Sequence, residues 1–417
     1  MGGGLLQLVA YGAQDAYLSG NPQITFWRGL FKRHTNFAME PFRVNLTGQA
    51  NWGTKHSAIL GRHADLVGPA YIEVEMPGDG NDLVYSGDGI DGFNLIEYVE
   101  LDIGGQVIDR QYGEFLAIWS QLSLPYLKQA NLAQINSVFN NANVSCSTGT
   151  GRPSRNNITY IPLGFWFCRN PGAALPLIAL QYHEVKINIL WNKTSLIFKA
   201  ATNATISAGP AQANLLVDYI YLDVEERRRM AQESHEYLIE QTQFNEDKGL
   251  TTAQNRVDLT FNHPVKELIW VTQKADKKDC RINGGANISP LDYDDIIYEC
   301  TLQLNGQDRM QALPGLYFNS VQPFQHHTGV AGLVSGSNNA SNTSGVYMYS
   351  FAIKPEEHQP SGTCNFSRID TATLVFSVDG GTLINNLEDN NYDIRVYAIN
   401  YNILRIMSGM GGLAYSN

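Results

Sequence analysis

Apolar and polar residues alternate along most of the chain, which predicts short strands with one face buried and one face wet. The alternation is clearest in Tyr71-Ile-Glu-Val-Glu-Met76, Tyr98-Val-Glu-Leu-Asp-Ile103, Val185-Lys-Ile-Asn-Ile-Leu190 and Val257-Asp-Leu-Thr-Phe261. It continues in Thr301-Leu-Gln-Leu304, Thr373-Leu-Val-Phe-Ser-Val378 and Ile394-Arg-Val-Tyr-Ala-Ile399. Clusters of Gly, Pro, Asn and Asp separate these runs. Gly104-Gly105 and Asn305-Gly306 each sit between two extended segments, the signal of a type I′ hairpin. Many strands punctuated by such turns argue for antiparallel sandwiches, since βαβ units would need helical crossovers between the runs. Two helices are predicted. Asn21-Pro22 opens one, with Asn as N-cap, Pro at the first helical position, an apolar stripe of Ile24, Trp27, Leu30 and Phe31, and Lys32, Arg33 and His34 at its end. The other runs from Gln111 to Leu122 and carries Phe115, Leu116, Ile118 and Trp119.

The order of features repeats. Leu101-Asp-Ile-Gly-Gly-Gln106 and Leu302-Gln-Leu-Asn-Gly-Gln307 share a strand, a turn and a Gln, and each leads into an aromatic segment, Tyr112 to Trp119 and Tyr317 to Phe324. Further on, Tyr219 to Met230 and Val396 to Met407 both run from a Tyr-bearing strand into Arg-x-Met. Two homologous all-β domains in tandem is the economical reading, with the boundary near Glu225 to Glu236.

Composition narrows the function classes. A length of 417 residues favours two or three domains, and 43% hydrophobic with 17% charged residues describes a folding chain. A net charge of −11 argues against general binding to nucleic acid, which needs clustered Lys and Arg. No apolar run is long enough to span a bilayer, and Leu5 to Ala10 lacks the basic flank of a signal peptide. Five cysteines, at 146, 168, 280, 300 and 364, show no C-x-x-C, so neither a disulfide framework nor a zinc knuckle is expected.

Little in the sequence points to chemistry. Gly78-Asp-Gly-Asn-Asp82 and Gly87-Asp-Gly-Ile-Asp91 resemble a calcium nonapeptide. Each lacks the first glycine, and two copies scarcely stack, so an acidic surface loop is preferred over calcium at Asp82 and Asp91. The nine histidines show no ligand spacing, and His326-His327 reads as a loop dipeptide. Asp292, Asp294 and Asp295 read as a solvated turn, and Glu225-Glu-Arg-Arg-Arg229 as a solvated or interdomain helix end. Neither a G-x-S-x-G elbow nor a P-loop occurs. Leu6 stands where a myristoylation motif needs Ser or Thr. Nine N-x-[ST] sequons, at Asn45, Asn143, Asn157, Asn192, Asn203, Asn287, Asn339, Asn342 and Asn365, mark loops more surely than glycans. No catalysis and no cofactor are expected.

Leu8-Val-Ala-Tyr-Gly-Ala-Gln-Asp15, Gly20-Asn-Pro-Gln-Ile-Thr-Phe26 and Arg33-His-Thr-Asn-Phe37 resemble the N-terminal signature of the major capsid proteins of nucleocytoplasmic large DNA viruses, of the algal-virus type. Pro171 to Val185, Leu302 to Arg309, Gln359 to Asp370 and Tyr401 to Tyr415 are similar to that family as well, in its order. The resemblance implies an all-β double jelly roll, two eight-stranded sandwiches in tandem behind a short helical N-terminal arm. It divides the chain into an arm at 1–35, a first roll at 36–225, a linker at 226–236 and a second roll at 237–417. It further implies a homotrimer forming a pseudo-hexagonal capsomer of an icosahedral shell, assembled in the host cytoplasm. The partners would be neighbouring capsomers, minor capsid proteins and a penton protein, with any internal membrane touched only indirectly. Ile24, Trp27, Leu30 and Phe31 would then form an assembly arm. The alternatives are a jelly-roll spike or fibre, or a carbohydrate-binding sandwich.

Overall fold

The structure is a computed structural model that describes residues 3–26, 31–75, 90–138, 158–193, 197, 210, 212–250, 252–274, 293–329, 345–378 and 392–416. Met1–Phe37 forms one compact unit and Ala38–Asn417 the other.

Among the described residues, sixteen strands of the larger unit form two sets of eight, and six short ones (Ile90–Asp91, Ser137–Val138, Leu175–Pro176, Leu313–Pro314, Cys364–Asn365 and Met410–Leu413) pair beside them. The first set is β1 (Phe37–Asn45), β2 (Lys55–Ile59), β3 (Leu66–Glu75), β4 (Ile96–Ile103), β5 (Gln106–Tyr112), β6 (Ile158–Pro162), β7 (Val185–Trp191) and β8 (Gln212–Leu222). The second is β9 (His235–Leu250), β10 (Gln254–Asp258), β11 (Pro264–Lys274), β12 (Ile297–Leu304), β13 (Gln307–Asp308), β14 (Val346–Ser350), β15 (Ala372–Val378) and β16 (Tyr392–Met407). The first set pairs as β1-β8-β3-β6 and β2-β7-β4-β5, the second as β9-β16-β11-β14 and β10-β15-β12-β13. Adding eight to each strand of the first sandwich gives the second, so the sequence repeat is a repeat of topology.

Local chemistry explains the register. The β4–β5 turn places Gly104 and Gly105 at φ +62° and +88°, and the β12–β13 turn places Asn305 and Gly306 at +51° and +74°, as a type I′ hairpin requires. Inward residues of each pair of sheets form a core. Val99, Leu101, Ile187, Trp191 and Phe165 belong to the first, and Trp270, Leu302, Phe318 and Phe376 to the second. The two 16-residue strands β9 and β16 overrun their own sandwich. Their ends deliver Ile239, Leu404 and Ile406 into the first core.

Two helices bear on the sequence reading. Gly113–Ser123 (α3) lies where Gln111 to Leu122 was expected. The helix expected from Asn21 does not begin there: Asn21 has φ +52°, whereas an N-cap needs extended backbone, and Pro22 to Phe26 and Phe31 to His34 are not helical. Residues 27–30 lie outside the described residues. The smaller unit instead carries helices α1 (Gly3–Val9) and α2 (Ala16–Ser19), with no charged residue before Asp15 to signal either. The run Val257 to Phe261 is strand only to Asp258, although Leu259 and Phe261 still reach the core.

Candidate functional site: the seam between the two sandwiches

Among the described residues, those singled out by the sequence are not brought together into a site. Ile24 and Phe31 are exposed, while Trp27 and Leu30 lie outside the described residues. Asp82 and the side chain of Asp91 also lie outside them, and no group of metal-ligating side chains occurs among the described residues. Glu225 to Arg229 lies in a helix, Val224–Gln232, with no buried residue, and Arg227 reaches back to Asp65 at 2.9 Å. Of the expected solvated turn, Asp292 lies outside the described residues, Asp294 is half-buried and Asp295 is exposed. Asp294 Oδ2 accepts from the Lys274 amide at 3.0 Å, and Asp295 accepts from the Tyr347 hydroxyl. Asn192, in a sequon, is buried and donates to the Asn94 carbonyl at 2.8 Å, which withdraws it from glycan attachment.

Burial points elsewhere. Strand β16 is buried on both faces, because Ile394, Val396 and Ala398 fill its own core while Tyr397 and Ile399 point the other way. Against that second face lies α3 of the first sandwich. Its Phe115, Ile118 and Leu122 pack on Ile269 and Val271 of β11, Val346 and Met348 of β14, and Tyr397 and Ile399 of β16. Leu116, on the opposite side of α3, stays in the first core. One helix thus belongs to both sandwiches.

Charged groups surround this apolar contact. Arg395 of β16, 2% exposed, donates through Nε to Glu114 Oε2 at 2.7 Å and through Nη2 to Gln273 Oε1 at 2.8 Å. Tyr397 donates its hydroxyl to Glu114 as well. Burial alone would lower the Arg395 pKa, but the Glu114 carboxylate outweighs it and holds the guanidinium charged. Burial and the same carboxylate push the Tyr397 phenol well up. Below this pair, Asp109 of β5 accepts from the Thr242 amide of β9 at 2.9 Å, and Gln241 donates to the Ile108 carbonyl. Burial pushes the Asp109 carboxyl up to about 6, against the pull of the Thr242 amide. A third contact links Arg169 of the first sandwich to Glu240 of β9 at 3.0 Å, with Lys266 on the other oxygen at 2.9 Å. The Arg169 guanidinium lies 4.4 Å from the centre of the Trp119 ring.

His327 closes the far end as a loop residue just past the helix Gln322–His326, but a buried one. Its buried ring donates to Glu267 at 3.0 Å and to Glu356 at 2.9 Å, edge-on to Trp119. The residues after it are pinned to the end of α3: Thr328 Oγ1 donates to the Ser123 carbonyl at 2.8 Å and the Gly329 amide to that of Leu122 at 2.7 Å. Burial would lower the His327 pKa, yet the Glu267 charge and the ring's hydrogen bonds to both carboxylates raise it to about 9. Because the folded value exceeds the unfolded value near 6.5, the imidazolium stabilises the fold fully below pH 6.5 and loses that contribution as pH rises through about 9. At 1.36 kcal/mol per unit the contribution is on the order of 3 kcal/mol. The melting temperature should therefore fall between pH 7 and pH 10, and His327→Gln should flatten that fall. An equal fall in wild type and variant would contradict it.

The arrangement can hold two sandwiches rigidly side by side; it presents no nucleophile, base and oxyanion donors to a common substrate. Sequence reasoning missed the seam because its partners lie far apart in the chain. Known proteins share this architecture. Residues 25–223 match a family model described as "Major capsid protein N-terminus", and residues 226–412 one described as "Large eukaryotic DNA virus major capsid protein". The chain is 45% identical to the major capsid protein of Pyramimonas orientalis virus and 39% identical to that of Phaeocystis pouchetii virus, each alignment covering 100% of both chains. Among solved structures, PBCV-1 Vp54, fitted into a reconstruction of the virophage Sputnik, aligns with TM-score 0.78 at 33% identity over 94% of this chain and 100% of that one. The Faustovirus major capsid protein shares the fold at TM-score 0.70 and 11% identity, over 95% of this chain and 94% of that one.

Proposed function

The chain belongs to the major capsid protein family of large eukaryotic DNA viruses, and we propose that it builds the shell as a homotrimer, each copy supplying two of six near-equivalent sandwiches. Its fold is a double jelly roll and its role that of a structural subunit of the virion capsid. The observation that carries the trimer is the strand-for-strand repeat of two sandwiches joined by a head-to-tail contact, α3 of the first on the outer sheet of the second. A head-to-tail contact closes into a ring when its rotation divides the circle, and two sandwiches per chain need three chains to make six. Such a ring tiles a surface; a lone spike or a sugar-binding sandwich needs no second, matching copy. The role is structural and non-catalytic.

The finer assignments follow the same reading. The units are an arm at 1–35, rolls at 36–225 and 237–417, and a linker at 226–236. The arm, with Ile24, Trp27, Leu30 and Phe31, anchors a capsomer to its neighbours or to minor capsid and penton proteins, and assembly takes place in the host cytoplasm. Light scattering on the full chain at micromolar concentration in physiological salt is expected to give three times the chain mass of 46.3 kDa. A monodisperse monomer would overturn the trimer.

A further inference from the structure

Gly113 and Gly315 occupy the same place in the two sandwiches. Each is buried and opens the helical segment that follows the fifth strand of its set. A Cβ would lie 2.2 Å from the Ile96 carbonyl oxygen at the first and 2.0 Å from the Ile297 carbonyl oxygen at the second, and those carbonyls begin β4 and β12. Three residues on, Leu116 and Phe318 each enter their own core. With these two anchors Glu114 corresponds to Leu316; beyond it the second segment turns as a π-helix over Tyr317–Val321 where the first is α-helix, so Val321 and Phe324 match Trp119 and Leu122 by place along the segment and not by face.

The first set of positions is spent on the seam. The second is apolar and bare, with Leu316 58%, Val321 37% and Phe324 88% exposed. The surface that would receive it also has an equivalent. In the second sandwich α3 covers the outer face of β9-β16-β11-β14, including the cross-strand row Ile269, Tyr397 and Met348. The same three strands of the first sandwich carry an outward row of Tyr71, Leu216 and Pro162, all half-buried, and Met39 of β1 is exposed. The bare helix is continuous with the seam, because the segment it leads into, Thr328 to Gly329, is already tied to the end of α3.

We infer that Leu316, Val321 and Phe324 of one copy dock on the outer face of β1-β8-β3-β6, around Tyr71 and Leu216, of a second copy, repeating between chains the contact that α3 makes within one. The inference rests on the trimer reading and names its interface. An apolar face at the centre of a contact with polar groups at its rim, here Arg43, Glu73 and Tyr160, is the usual build of a lasting interface. Mutual occupation of both faces by the same rotation would bury Leu316, Val321 and Phe324 together with the half-buried Tyr71 and Leu216.

The test compares the full-length wild type with Phe324→Asp and with Val321→Asp/Phe324→Asp by light scattering, alongside circular dichroism and hydroxyl-radical footprinting. The variants replace exposed side chains, so their spectra and melting of secondary structure should match wild type. The expected result is loss of the trimer mass to that of a single chain, with Tyr71 and Leu216 protected in wild type and labelled in the double variant. A folded double variant that stays trimeric, with Tyr71 labelled as in wild type, overturns this interface and leaves the trimer standing. A wild type that is itself monomeric overturns both.

Discussion

Glu114→Ala is expected to destabilise the folded chain by about 3–5 kcal/mol, the cost of leaving a buried charge without its partner. The charge left behind is Arg395, whose guanidinium would retain Gln273 and lose all its bonds to the carboxylate. Tyr397 would lose its acceptor in the same step. The effect belongs to the partner's isolation and not to the worth of the pair, so replacing both ends at once, Glu114→Leu with Arg395→Met, should cost far less than Glu114→Ala alone. Denaturant titration of the three variants checks this. A Glu114→Ala loss under about 1 kcal/mol would mean that water reaches Arg395 and that the seam is wet.

Phe115→Ala should cost a similar amount, about 3–5 kcal/mol, for a different reason. Phe115 is fully buried between Trp119 and Tyr397, with ring centres 6.1 and 5.5 Å away, and its removal leaves a cavity that sheet β11-β16 cannot close without moving off its own core. Neither sandwich core contains Phe115, so the damage should fall on the coupling between them. Calorimetry is expected to show one broad transition splitting into two in the variant. A single transition at the wild-type temperature would show that the sandwiches do not depend on α3 for their alignment.

Much of this fold was legible because strands announce themselves through neighbours in sequence. The hairpins at Gly104-Gly105 and Asn305-Gly306 fix their own register through left-handed backbone, and their recurrence marks the tandem repeat. The seam was not legible. Glu114 and Arg395 meet across 281 residues of chain, and only the fold brings them together. Arg395 stands at a polar place in the alternation from Ile394 to Ile399, and only the fold buries the strand unbroken from Tyr392 to Asn402, where a cation needs a buried partner. His327 hid in the same way, since nothing local distinguishes it from His326, whose ring reaches only a backbone carbonyl. The helix expected at Asn21-Pro22 failed on backbone, not on pattern. Asn tolerates the left-handed conformation that Asn21 adopts, and that conformation redirects the chain just where a cap would have started a helix.

Two copies of a sandwich in one chain become six in one particle if three chains close the ring. Electron microscopy of the purified full-length chain, averaged down its symmetry axis, measures this most directly. Six lobes in a near-hexagonal outline with three-fold symmetry are the result expected from the repeat and its head-to-tail seam. Particles of two lobes, or a two-fold dimer of four, would contradict it.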